Sequence, residues 1–127
     1  MFAALLNLDG GPVDVLQLPA HAEVNVVGAR QQAALLCVRN ATAANAAEPA
    51  GVESLGGRYW IVGRARLDAR QDLKARLAGR LDTTRPEASD IGLCLLAYEA
   101  WGERSVDHLA GDFAYVVWDE TRQRMFA

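Results

Sequence analysis

The 127 residues carry 51% hydrophobic and 23% charged side chains, a balance that excludes a disordered chain, because enough apolar surface is available to offset the entropy of ordering. That length fits one domain with a core that needs no disulfide or metal staple. A formal net charge of −3 argues against binding to phosphate backbones, so no nucleic-acid partner is expected.

In chain order, Phe2-Ala3-Ala4-Leu5-Leu6-Asn7-Leu8 predicts a short strand. Asp9-Gly10-Gly11-Pro12 stops it with strong turn chemistry, and Val13-Asp14-Val15-Leu16 reads as a returning strand. The apolar start has no positive flank and is too short for a membrane span, so it is neither signal peptide nor anchor. A cytoplasmic location with no membrane contact is the expectation. Residues 24–27 and 33–38 are further short strands, with Gly28-Ala29-Arg30-Gln31 as the hairpin between them. Residues 40–57 are rich in Ala, Asn, Glu, Gly and Pro without periodicity and predict a loop.

Tyr59-Trp60-Ile61-Val62 has strand composition, and Gly63 reads as its end. The period then changes. Leu67, Leu73, Leu77 and Leu81 fall near helical spacing, with Asp68 as the candidate cap. This stretch holds Arg64, Arg66, Arg70, Lys74, Arg76 and Arg80 against Asp68 and Asp72, a local excess of positive charge. The plain reading is a solvated helix face; the sharper one is a docking surface built on Arg64, Arg66, Arg70 and Lys74. Ser89-Asp90 opens a second helix, and either residue is suited to the N-cap. Ile91, Leu93, Cys94, Leu95, Ala97, Tyr98 and Trp101 leave that helix little polar surface, so it is buried, and Gly102 ends it. Val106 and Leu109 belong to a short helical turn. Residues 112–119 predict a strand, and Asp119-Glu120-Thr121-Arg122 turns it back into Arg124-Met125-Phe126-Ala127. Strands at both ends, two central helices and hairpin-length connections give an α+β layered class with antiparallel sheets.

Chemistry-bearing patterns are sparse. Gly56-Gly57 precedes a strand and Gly10-Gly11 serves a turn, so neither is a phosphate cradle. Two Cys and two His offer no zinc spacing, and Cys37 and Cys94 lie in apolar runs that predict inert core thiols. Ser54, Ser89 and Ser105 have no patterned His nearby. Asp112 and Asp119 flank a strand and read as turn residues. Tyr59, Trp60, Trp101, Phe113, Tyr115 and Trp118 read as core.

Three segments taken together go further. Met1-Phe2-Ala3-Ala4-Leu5-Leu6-Asn7-Leu8-Asp9-Gly10 resembles the amino terminus of class II glutamine amidotransferases, where a strand beginning Met-Cys-Gly-Ile runs into an Asp-Gly turn. Gly63-Arg64-Ala65-Arg66-Leu67-Asp68 is similar to that family's Asn-Gly-Glu-Ile-Tyr-Asn stretch. Most specific are Ser89-Asp90, then Tyr98-Glu99-Ala100-Trp101-Gly102, then Leu109-Ala110-Gly111-Asp112-Phe113-Ala114-Tyr115-Val116-Val117-Trp118-Asp119. They are similar to the Ser-Asp, Tyr-x-x-x-Gly and Leu-x-Gly-x-Phe-Ala-Phe-x-x-x-Asp series of the asparagine synthetase glutaminase domain.

The resemblance implies an Ntn-hydrolase-like αββα sandwich of two antiparallel sheets with flanking helices. In that family a Cys at position 2 attacks the glutamine side-chain amide, with the free α-amine as base. Phe2 occupies that position here, and a large residue there leaves Met1 in place to block the amine. The family's oxyanion Asn-Gly pair reads Arg64-Ala65 or Gly63-Arg64, without the Asn donor. No Arg in the 33–39 stretch matches the family's binder of the glutamine carboxylate. Asp90 alone matches, as the Asp that holds the glutamine α-amine; it is read as a vestige whose main duty is capping the helix. No catalytic residue is therefore expected in this chain.

β-Lactam synthetase and lasso-peptide cyclases resemble this case, keeping the domain without its Cys. The expectation is a non-catalytic glutaminase-like scaffold, packed against a C-terminal synthetase domain of an asparagine-synthetase-like ligase. This chain would need no cofactor; ATP and Mg²⁺ would belong to the synthetase domain, and a homodimer is a further partner. Residues 1–127 would then be the first domain of a longer chain, because the sequence stops within a hairpin strand. A glutaminase domain of a glutamine-hydrolysing asparagine synthetase and a free-standing interaction module stay open as alternatives.

Overall fold

Alternation of buried side chains along Tyr59–Leu67 places one apolar set on each face of a strand, and the molecule is layered around it. The computed structural model describes residues 2–6, 11–12, 22–27, 33–38, 51–78 and 89–127. Its strands are β1 (Phe2–Leu6), β2 (Ala22–Val27), β3 (Ala33–Val38), β4 (Gly51–Leu55), β5 (Tyr59–Leu67), β6 (Gly111–Asp119) and β7 (Arg124–Phe126). Helices α1 (Arg70–Leu77) and α2 (Asp90–Trp101) lie between β5 and β6, and a 3₁₀ segment, Gly102–His108, follows α2.

Two antiparallel sheets result, one ordered β1-β3-β2 and one ordered β4-β5-β6-β7. β5 and β6 pair along their whole length, from Tyr59 opposite Asp119 to Leu67 opposite Gly111. On one face of this pair, Ile61, Ala65, Leu67, Tyr115 and Val117 pack against Leu73 and Leu77 of α1 and against Ile91, Cys94 and Tyr98 of α2. On the other face, Val62 and Trp118 meet Ala33 and Leu35 of the three-stranded sheet. The described residues thus supply a helix layer, a sheet and a second sheet. This is the α+β, Ntn-hydrolase-like arrangement.

Four local expectations change. Gly63 does not end its strand; it lies inside β5, where a Cβ would come 2.4 Å from the Ala114 carbonyl oxygen and 2.5 Å from the Tyr115 Cβ. The strand continues because only glycine lets β5 and β6 approach that closely. Leu67 accordingly ends β5 and does not start a helix, and α1 begins at Arg70 after an uncapped Ala69. Asp68 makes no cap; it lies 3.3 Å from the Arg66 guanidinium. Within the expected loop of residues 40–57, residues 51–55 form β4, paired with β5 from Gly51 opposite Gly63 to Leu55 opposite Tyr59. Gly56 and Gly57, at φ 60° and 68°, make the tight connection. The expected strand at 13–16, the hairpin at 28–31, and Arg80 and Leu81 lie outside the described residues.

The last third follows expectation closely. Ser89 caps α2 by accepting the Gly92 N–H at 3.0 Å, and Gly102 ends it at φ 62°.

Candidate functional site

A serine at the N-cap frees the next residue for other work. Ser89 is extended, at φ −61° and ψ 167°, and takes the capping bond, so Asp90 becomes the first helical residue. This corrects the expected role of Asp90: its carboxylate does not cap α2. It is 3% exposed and turned toward β5 and α1. The Leu67 N–H donates to its Oδ2 at 2.7 Å, and Arg70 Nη1 donates to its Oδ1. One buried carboxylate therefore ties the end of β5 and the first residues of both helices together. A buried carboxylate persists in charged form only with such donors and a cation beside it.

A second acid stands nearby. The Ser89 hydroxyl donates to Glu53 Oε1 of β4, and a Cβ on Gly92 would lie 2.5 Å from Glu53 Oε2. Gly92 thus leaves room for a carboxylate over the first turn of α2, where the helix dipole favours negative charge. Glu53 was invisible as a site residue in sequence, because it falls within the stretch read as loop.

The other sequence-predicted residues divide among several places. Phe2 is the first residue of β1, and its Cα partner across the ladder is Cys37 of β3. The side chains of Phe2 and Cys37, and so the expected inertness of the Cys37 thiol, lie outside what is described. Arg64 stands exposed on β5 opposite Ala114, while Ala65 is buried. Arg66 donates to Asp112 Oδ2 at 2.8 Å, and that hydrogen bond raises its pKa. Arg70 is bound to Asp90, and Lys74 is half-buried on α1. Arg76 donates to the His108 carbonyl at 2.8 Å and stands over the Trp101 ring. The proposed cationic surface is therefore partly consumed by the chain's own acids. Arg70 in particular points its charge inward.

Cys94 is buried, and desolvation pushes its thiol up to about 12, which removes the thiolate needed for attack. Ser105 sits 3.4 Å from the Tyr115 hydroxyl within the core. Asp119 behaves as the turn residue the sequence predicts: its Oδ1 accepts the Thr121 and Arg122 N–H groups at 3.0 and 3.1 Å. A cleft of about 510 Å³ opens at the far end of α2, between Tyr59, Tyr98, Trp101, Arg122 and Arg124. It contains none of the predicted site residues. Among the described residues, no three His, Cys, Asp or Glu side chains come together as a metal site. Among those residues, too, no helix is long and apolar enough to cross a membrane.

Comparison with known proteins now decides the family. Residues 32–127 match the model of the glutamine amidotransferase domain. The chain belongs to that family. Its relatives include asparagine synthetase [glutamine-hydrolyzing] 3 of Bacillus subtilis (strain 168), 36% identical over 80 residues. That alignment covers 63% of this chain and 13% of the relative. Amidase chry2 of Gibberella zeae is 41% identical over 39 residues, 31% of this chain and 6% of the amidase. The chain thus spans a small part of the length of either protein. It is an asparagine-synthetase-like glutamine amidotransferase domain, and Asp90 lies within the stretch that the family model matches.

Proposed function

We propose that this domain is a non-catalytic, glutaminase-like scaffold of an ATP-dependent, amide-forming ligase of the asparagine synthetase type. The observation that carries the reading is Phe2 at the head of β1, where a hydrolytic member of the family needs a thiol. A phenyl ring offers no lone pair to attack an amide. The Asp90 carboxylate supports the same reading, because Arg70 and the Leu67 N–H already hold it and leave it little capacity for a substrate ammonium. The stretch that would supply the oxyanion pair reads Arg64-Ala65 or Gly63-Arg64, and neither pair offers the side-chain amide that would stabilise an oxyanion.

The partner in this reading is a synthetase domain that binds ATP and Mg²⁺ and adenylates a carboxylate. The amine then comes from the substrate itself, as in lasso-peptide cyclases and β-lactam synthetase, so no ammonia is drawn from glutamine. The domain would contribute packing surface, with Arg64 and Lys74 as its cations toward the partner, and would work in the cytoplasm.

Incubation with a glutamine-derived diazoketone, read by intact mass, tests the proposal. The expected result is unmodified protein and no ammonia release from glutamine. Stoichiometric labelling would overturn the scaffold reading and favour the glutamine-hydrolysing activity named for the Bacillus subtilis relative.

A further inference from the structure

We propose that the cleft at the far end of α2 binds a small organic cation, an ammonium or guanidinium with N–H donors, on the unpartnered Oδ2 of Asp119. This site is separate from the surroundings of Asp90, and the proposal stands whether or not the domain hydrolyses glutamine.

The strand ladder places the carboxylate. Tyr59 of β5, Asp119 of β6 and Arg124 of β7 are direct cross-strand partners, so their side chains stand abreast on one face. It is the face of Ile61, Val117 and Phe126, against which α2 packs. Tyr59 and Arg124, on either side of Asp119, both line the cleft of about 510 Å³, so Asp119 forms the floor between them. Its side chain is 0% exposed, and its Oδ2 accepts no hydrogen bond. Arg122 Nε stands 3.8 Å from that oxygen, beyond hydrogen-bond range, on a side chain that is 62% exposed. A buried carboxylate oxygen without a donor is rare, because it has given up water and gained nothing in exchange. A ligand N–H at the cleft floor supplies the missing donor as Arg122 turns to solvent.

The rest of the cleft selects the sign of the charge. α2 ends beside it with no basic residue in its last turn, so the helix itself does not offset the negative end of its dipole. Glu99 on that turn is exposed and has no ion pair among the described residues, whereas Glu103 is taken by Arg124. Tyr59 and Tyr98 meet edge to face at 5.7 Å and offer aromatic surface to a cation. Burial first, and then the charges of Asp119 and Glu99, raise the pKa of Tyr59, so two acids and a neutral phenol share one corner of the cleft. An anion would meet Glu99 and the helix end, and a neutral ligand would leave Glu99 unpaired. The volume is that of a small-molecule site, which makes the occupant a small amine or guanidine.

Isothermal titration of the chain with agmatine, which carries a guanidinium at one end and an ammonium at the other, tests the proposal at constant ionic strength. Wild type is expected to bind one agmatine with a Kd below about 1 mM. Tetramethylammonium, a cation without N–H donors, should bind at least about tenfold more weakly. Asp119→Asn presents an amide N–H in place of Oδ2 and should weaken agmatine at least about tenfold. Glu99→Lys, at an exposed position outside the core, should abolish binding, and it carries the test where the asparagine variant fails to fold. Asp112→Asn, which alters an exposed acid at the other end of β6, should bind as wild type does. No saturable binding to wild type up to about 10 mM agmatine overturns the proposal. So does tetramethylammonium binding as tightly as agmatine, or agmatine binding unchanged in Asp119→Asn or Glu99→Lys.

Discussion

Asp90 and Asp119 are both buried aspartates with arginines beside them, and they hold the molecule together in different ways. Asp90 spends one oxygen on a main-chain N–H 23 residues away in sequence and the other on Arg70. Asp119 spends Oδ1 on the N–H groups of Thr121 and Arg122, two and three residues further along, and its Oδ2 has no hydrogen-bond partner. Arg58 and Arg122 approach it only at 3.5 and 3.8 Å, with side chains 44% and 62% exposed. The first carboxylate joins three elements; the second shapes one hairpin. Charge is needed at Asp90, whereas at Asp119 geometry does most of the work.

Amide substitution separates the two. Asp90→Asn replaces an ion pair by an amide facing a guanidinium and should cost about 2–3 kcal/mol in urea unfolding. That is below the ~3–5 kcal/mol of a fully buried broken pair, because Arg70 can turn to water. Asp119→Asn keeps the Oδ1 acceptor and gives up two long ion pairs to exposed arginines while burying an unpaired amide N–H, so its cost should be smaller, about 1 kcal/mol. Equal costs for the two variants would erase the distinction.

Ser89→Ala sharpens the comparison on the Asp90 side. Because the hydroxyl caps α2 and also donates to Glu53, the variant should lose about 1 kcal/mol, at the typical value for an N-cap. A loss near zero would mean that Asp90 takes over the cap, as the sequence alone suggests.

Cys94 is a third buried acid, and it stays neutral. Its folded pKa of about 12 lies above the unfolded value near 9.0, so the unfolded chain releases the proton first. Stability from this group is therefore complete below about pH 9 and declines as pH rises toward 12. Cys94→Ala should remove that alkaline component, at the expense of a small cavity. The check is urea unfolding at pH 8 and pH 10.5, where the wild type should lose more than the variant between the two conditions.

Much of the site's frame was legible. The apolar runs of β5 and β6, the buried face of α2, and Gly102 at its end all follow from local pattern, since each is decided by residues a few positions apart. β4 was not legible: Gly51-Val52-Glu53-Ser54-Leu55 has no clean alternation, and it is a strand because it lies along β5. Gly63 looked like a terminator because the Ala114 backbone that presses on it lies far along the chain. Arg70 looked like a free cation for the same reason. Its partner is 20 residues away, and nothing in their spacing aligns them.

By itself, then, the sequence determined the α+β class and the family series from Ser89 to Asp119. Those are properties of residue type and short-range period. Only the tertiary structure decided that Ser89, and not Asp90, caps the helix, and that Arg70 and Leu67 close around the freed carboxylate. Burial is the physical reason. The preference of a carboxylate for a cap, a cation or water depends on which donors remain when water has been removed, and packing of β5, α1 and α2 sets that choice.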